Sequence, residues 1–249
     1  MELYEIVLTG VFFVILITIC SFLTILYVKG PTDLLQKYIY GTYQAARTPA
    51  KSFHHVDRKC NILLLGDSVA VGVGADSPEQ GVGGKLFSNT RCNVDNFGVS
   101  GHKIHNIPNQ IPKHTVKYDA VVIIVGANDF ALSESYLTKD VVFNMVDRTL
   151  TLLRARFPKP IPILWATYVH PPIIPTLATN LLKDAHLMGW KTGMVFKEML
   201  ETLAPRYSIN VENFKDVTYL PSQFSSADGV HPSNMGYELL AKYIIRGIQ

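Results

Sequence analysis

The sequence predicts an α/β domain built on a parallel sheet. Three observations carry this. Short apolar runs rich in Val and Ile recur at 61–65, 120–125 and 161–167, with a weaker one at 93–97. Runs of this kind suit strands buried on both faces of a parallel sheet. Segments with apolar residues at helical spacing follow or separate the runs, as in Lys139–Phe157, which aligns Val142, Met145, Val146, Leu150 and Leu153 on one face. Polar, glycine-containing clusters stand directly after the runs, and open parallel sheets gather their chemistry at the carboxyl ends of their strands. Strands alternating with helices imply layers joined by right-handed crossovers.

The elements follow in chain order. Residues 1–5 form a short flank with Glu2 and Glu5 and no basic residue. From Ile6 to Val28 there is no charged side chain. As a helix this run spans roughly 34 Å, enough to cross a bilayer core. A secretory leader is the weaker reading, because its start should be basic and a small-x-small cleavage site should follow. The expectation is a single transmembrane helix over 6–28. Lys29, Lys37 and Arg47 follow it, and no Lys or Arg precedes it, so the charge rule favours a cytoplasmic domain. Residues 29–59 read as a juxtamembrane linker with Tyr38, Tyr40 and Tyr43, and residues 60–249 as the folded domain. Further helices are expected over His186–Leu203 and Ser233–Ile245, with an irregular proline-containing stretch over Val169–Lys183.

Composition bounds the function. Apolar residues make up 48% and charged residues 17% of the 249 residues, so a packed core forms and wholesale disorder is not expected. The net charge is +3 and the basic residues are scattered, which argues against a nucleic-acid partner. No C-x-x-C pair exists, so zinc-ribbon and thioredoxin readings have no support. Glu79–Leu86 lacks the first Gly and the closing Ser or Thr of a P-loop. The histidines at 54, 55, 102, 105 and 170 lack a convincing set of metal partners.

Four clusters remain. Gly66-Asp67-Ser68 follows the first apolar run and holds a hydroxyl at the crevice; alone it equally fits a turn capping a helix. Asn96-Phe97-Gly98-Val99-Ser100-Gly101 offers backbone N–H groups where glycine permits close approach. Gly126-Ala127-Asn128-Asp129 follows the third run, and Asn128 could donate its amide to a developing oxyanion or form an Asx turn. Asp228-Gly229-Val230-His231-Pro232-Ser233 places a carboxylate and an imidazole close together, with Ser233 suited to cap the last helix.

Each cluster is weak alone, but their order is specific. Together they resemble the SGNH (GDSL-like) hydrolases, a family named for its Ser, Gly, Asn and His. Gly66-Asp67-Ser68 resembles the first block, Gly101 the second, Gly126–Asp129 the third and Asp228–Pro232 the last. The resemblance runs from about Cys60 to the C-terminus. It implies a flavodoxin-like α/β/α sandwich. It also implies Ser68 as nucleophile, His231 as base and then acid, and Asp228 as the carboxylate orienting His231. The Ser68 N–H, the Gly101 N–H and the Asn128 amide would form the oxyanion hole, Gly98 being the alternative to Gly101. The sequence departs from the G-x-S-x-G elbow of the α/β-hydrolases.

The reaction so implied is ester hydrolysis through an acyl-enzyme, without metal or cofactor. Small acyl esters or lysophospholipids are the expected substrates, since Ile173, Ile174 and Leu177 could wall an acyl pocket near a membrane. Sugar O-acetyl esters, acyl transfer, and a dormant interaction protein on the same fold are the alternatives. If the first two strands are neighbours, as the family fold implies, Cys60 and Cys92 lie at one level of the sheet. Two reduced thiols are expected there, a disulfide being the geometric alternative that would argue for an oxidising compartment. Cys20 reads as a small apolar residue.

Overall fold

The computed structural model describes residues 47–113, 116–130, 138–159, 161–167, 180–213 and 231–248. Among the described residues five strands make one parallel sheet: β1 (Cys60–Gly66), β2 (Cys92–Asn96), β3 (Ala120–Ile124), β4 (Ile163–Thr167) and β5 (Asn210–Asn213). Their order is β2-β1-β3-β4-β5, every neighbouring pair parallel. That is the flavodoxin-like order, with its topological switch beside β1.

Alternation along the strands divides the core into two layers. Leu63, Leu65, Val121, Ile123, Ile163 and Trp165 face one side. There they meet α5 (Lys139–Arg156) and α6 (Asn180–Tyr207) through Val142, Val146, Leu150, Leu153, Phe196, Leu200 and Leu203. Ile62, Leu64, Val94, Val122, Ile124 and Leu164 face the other. There they meet α2 (Val82–Asn89) and α7 (Asn234–Ile248) through Val82, Leu86, Tyr237, Leu240 and Ile244. Both faces of β3 and of β1 from Ile62 onward are therefore buried, which is why those stretches are apolar.

Thr138 caps α5 by accepting the Val141 N–H at 3.4 Å, and Arg154 and Arg156 lie in its last turn, where cations favour the helix dipole. Arg154 lies at the junction where α5 and α6 end. Its guanidinium donates to the carbonyls of Phe157, Pro158, Ile161, Tyr207 and Ser208. Helix ends leave such carbonyls without intrahelical donors, and the planar guanidinium supplies several at once.

Three expectations change. Cys60 and Cys92 are not two separate thiols. They stand opposite each other in the β1–β2 register, 4.3 Å apart at Cα, and are joined as a disulfide. The irregular stretch does not extend to Lys183, because α6 begins at Asn180. β5 was not expected from its sequence, Asn-Val-Glu-Asn. Among the described residues, no helix is long and apolar enough to cross a membrane. The run at 6–28 lies outside the described residues, as do 169–179.

Residues 51–58, on the linker side of the boundary at Cys60, lie along β2. Phe53 forms an antiparallel bridge with Val94, donating N–H at 2.8 Å and accepting at 2.9 Å. Ser52 Oγ accepts the Asn96 N–H, and His54 Nε2 meets Asp95 Oδ1 at 2.6 Å. Arg58 reaches the carbonyls of Phe87 and Cys92 while its guanidinium lies 3.6 Å over the Phe87 ring. This strap covers an edge strand whose backbone would otherwise be open to pairing.

Candidate active site

Four short helices, α1 (Ser68–Val71), α2, α3 (Ile107–Gln110) and α4 (Ala127–Phe130), start near the carboxyl ends of the central strands or on the loops that leave them. Ser68 is the first residue of α1, directly after β1. Asp67 precedes it in an extended conformation and caps the helix, Oδ1 accepting the Val69 N–H at 3.0 Å. This turn faces Ser68 Oγ toward the last cluster. His231 Nε2 lies 2.8 Å from Ser68 Oγ, both side chains being buried. The two residues are 163 positions apart in the chain.

The link between their segments is reinforced. Ser233 Oγ accepts the Gly236 N–H at 3.3 Å and caps α7. Asn234 and Asp76 bond reciprocally, Asp76 N–H to Asn234 Oδ1 at 3.0 Å and Asn234 Nδ2 to Asp76 Oδ2 at 2.7 Å. Tyr237 donates its hydroxyl to the Val73 carbonyl at 2.6 Å. The loop after α1 and the start of α7 are therefore tied together by three hydrogen bonds. Sequence reasoning missed Asp76, Asn234 and Tyr237, since their pairing is visible only across the fold. Asp228 lies outside the described residues.

The second and third clusters close the same end of the sheet. The Gly98 N–H is spent on Asn96 Oδ1 at 3.0 Å, and a Cβ at Gly98 would press on Ala70 and Val71 at 3.0–3.1 Å. Gly98 is thus a packing glycine, with no N–H to offer. Gly101 differs: its φ is +79°, nothing lies within 4 Å of where its Cβ would be, and its N–H has no partner among the described residues. The Ser68 N–H, at the start of α1, is likewise without one among them. Asn128 Nδ2 donates to the His102 carbonyl at 3.0 Å, which uses one of its two amide hydrogens. Asp129 accepts the Ile104 N–H at 3.1 Å and ties the third cluster to the second.

Two buried carboxyls lie beside this assembly. Burial pushes Asp67 up to about 7, with the Val69 N–H and the charge of His231 pulling the other way and Asp129 adding to the rise. Burial also pushes Asp129 up to about 6, opposed by the Ile104 N–H and by Lys103 and His105. A hydroxyl within hydrogen-bond reach of an imidazole can be deprotonated as it adds to a carbonyl, and N–H donors placed where the oxyanion forms would stabilise it. Among the described residues there is no group of His, Cys, Asp and Glu that could hold a metal ion.

A family model described as GDSL-like Lipase/Acylhydrolase matches residues 64–239. No curated protein matches the chain. Among solved structures, a GDSL-like lipase from Bacteroides thetaiotaomicron superposes with a TM-score of 0.54 at 19% identity, over 86% of this chain and 98% of that one. A member of the lipolytic G-D-S-L family from Veillonella parvula gives 0.54 at 16% identity, over 75% and 97%. A carbohydrate esterase family 2 enzyme from Corynascus thermopiles gives 0.57 at 15% identity, over 80% and 66%. At these identities the superpositions show a shared fold.

Proposed function

The chain belongs to the GDSL-like lipase/acylhydrolase family and is an ester hydrolase, and from that premise we propose that it works through an acyl-enzyme on Ser68. The observation that carries this is the 2.8 Å contact between Ser68 Oγ and His231 Nε2. Ser68 Oγ attacks the ester carbonyl as His231 Nε2 takes its proton. His231 then gives that proton to the leaving alcohol, and a water activated by the same nitrogen releases the acid. Asp228, three residues before His231 in the chain, is the proposed orienting carboxylate. The oxyanion is held by the Ser68 N–H, the Gly101 N–H and the second hydrogen of Asn128 Nδ2.

The proposed substrates are small acyl esters or lysophospholipids. Supporting this, Val99 is 43% exposed on the loop that carries Gly101 and offers an apolar rim. The uncharged run at 6–28, long enough to span a bilayer, supports a membrane anchor. The bond between Cys60 and Cys92 supports an oxidising compartment for the domain, against the charge rule. Alkylation mass shifts with and without reductant, on protein from its native membrane, test the compartment.

Hydrolysis of an aryl ester series of increasing acyl length, by the full chain and by Ser68→Ala, tests the reaction. Activity in the first and not the second is the expected result, and the length profile separates acetyl esters from lipids. An inactive wild type that also fails to react with a fluorophosphonate would leave the non-catalytic interaction protein as the better reading.

A further inference from the structure

We infer that Gln110 is a positioning residue for this site, acting through His102, an inference that rests on the ester-hydrolase reading above. Gln110 closes the short helix α3 and is buried. Its amide clasps one peptide unit on each side. Oε1 accepts the Gly66 N–H at 2.7 Å, and Nε2 donates to the Gly66 carbonyl at 2.8 Å. Gly66 lies two residues before Ser68, so this clasp sets the strand end from which the nucleophile departs.

The same Nε2 also lies 2.8 Å from His102 Nδ1. A primary amide nitrogen has two hydrogens and accepts nothing. With one hydrogen on the Gly66 carbonyl and the other on His102, the imidazole Nδ1 has to be the acceptor. His102 is therefore held neutral, with its single ring proton on Nε2. Burial, helped by His105, lowers its pKa from the usual value, in the same direction. A proton on Nδ1 would point at the hydrogens of Gln110.

His102 is not remote from the chemistry. It follows Gly101 directly, and its carbonyl holds the Asn128 amide at 3.0 Å. One buried side chain thus fixes both the backbone leading to Ser68 and the residue that joins the two other oxyanion donors. Oxyanion donors act only when aimed at the place where charge develops. Loosening His102 should therefore lower turnover and leave ground-state binding alone.

The test uses the full chain, labelled with ¹⁵N at histidine, and the variants Gln110→Glu, His102→Asn and His102→Leu. The His102 signals are identified by their loss in His102→Asn. In the wild type they should show a neutral ring protonated at Nε2. Gln110→Glu keeps an oxygen for the Gly66 N–H but offers His102 a carboxylate, so Nδ1 should become protonated. Turnover of a short-chain aryl ester should fall roughly 30-fold with KM within about twofold. His102→Asn restores an acceptor near the position of Nδ1 and should keep turnover within about threefold, whereas His102→Leu should match Gln110→Glu.

An active wild type with unchanged turnover in Gln110→Glu would overturn the inference alone. So would a fall in turnover that leaves the His102 signals neutral at Nε2, since that marks a merely structural role. Should Gln110→Glu fail to fold, equal turnover in His102→Asn and His102→Leu overturns it as well. A wild type with no hydrolysis removes the ester-hydrolase reading and this inference with it.

Discussion

A Cβ built on Gly66 would lie 2.0 Å from the carbonyl oxygen of Ile124, the residue facing it across β1 and β3. The Gly66 backbone also has φ +151°, which side-chain-bearing residues rarely adopt. The Ile124 carbonyl cannot retreat, because it accepts the Asp67 N–H at 3.0 Å. Gly66→Ala must therefore part the two central strands just ahead of Ser68. We expect a loss of about 3 kcal/mol or more in urea unfolding, with activity falling alongside. A variant as stable as wild type would show that the strands separate more easily than this contact implies.

Ser68 and His231 should behave as one unit. Ser68→Ala and His231→Ala should each lower kcat by at least about 10,000-fold, and the double variant should be no worse than either. Steady-state kinetics on a short-chain ester measures this. Additive losses would mean that the 2.8 Å contact is not the path of the proton.

Asn128 and Gly98, both candidates for the oxyanion hole on sequence grounds, should fail differently. Asn128→Ala removes the proposed side-chain oxyanion donor and its bond to the His102 carbonyl, and should lower kcat about 100-fold while costing at most about 1 kcal/mol of stability. Gly98→Ala presses on Ala70 and Val71 behind the site. It should lower Tm by several degrees, about 1–3 kcal/mol of stability, while the folded fraction keeps most of its turnover. Paired melting curves and kinetics would separate the two; the reverse pattern would move the donor role to Gly98.

Asp67 should make the fold less stable as pH rises. In the unfolded chain its carboxyl titrates near 3.9, roughly the ordinary value. Burial holds it at about 7 in the fold. Between these values the native state keeps a proton that the unfolded chain has released, so this group's contribution declines from about pH 4 and is fully lost above about 7. Asp67→Asn keeps an oxygen for the Val69 N–H and has no charge to bury. It should therefore be more stable than wild type at pH 8 by a few kcal/mol, and the gap should close toward pH 4. Guanidinium unfolding at both pH values gives the difference; a gap that widens on acidification would contradict the assignment.

What the sequence revealed follows from what each element buries. β1 and β3 are sealed on both faces, so Ile62–Leu65 and Ala120–Ile124 carry an uninterrupted apolar signal. Among the described strands β5 pairs only with β4, and its polar Asn-Val-Glu-Asn has no such signal. Ser68, Gly101, Asn128 and His231 each stand in a local motif, so the sequence alone could single them out as candidates, and the structure brings Ser68 and His231 into contact. Gln110 stands in none. Its role depends on Gly66 and His102, 44 and 8 residues away, and long-range amide pairing leaves no periodic trace. The pairing of Cys60 with Cys92 needed the register of β1 and β2, which spacing alone does not supply.

The strap along β2 bears on how copies of this protein could associate. A sheet grows sideways only where an edge strand still offers backbone groups. On the β2 side the chain has placed its own residues around Phe53 in that position, running antiparallel to the strand they shield. Among the described strands, lateral growth is left to β5. The strap thus shifts the outer boundary of the sheet from β2 to residues around Phe53, which are bound to β2 through side chains as well as backbone.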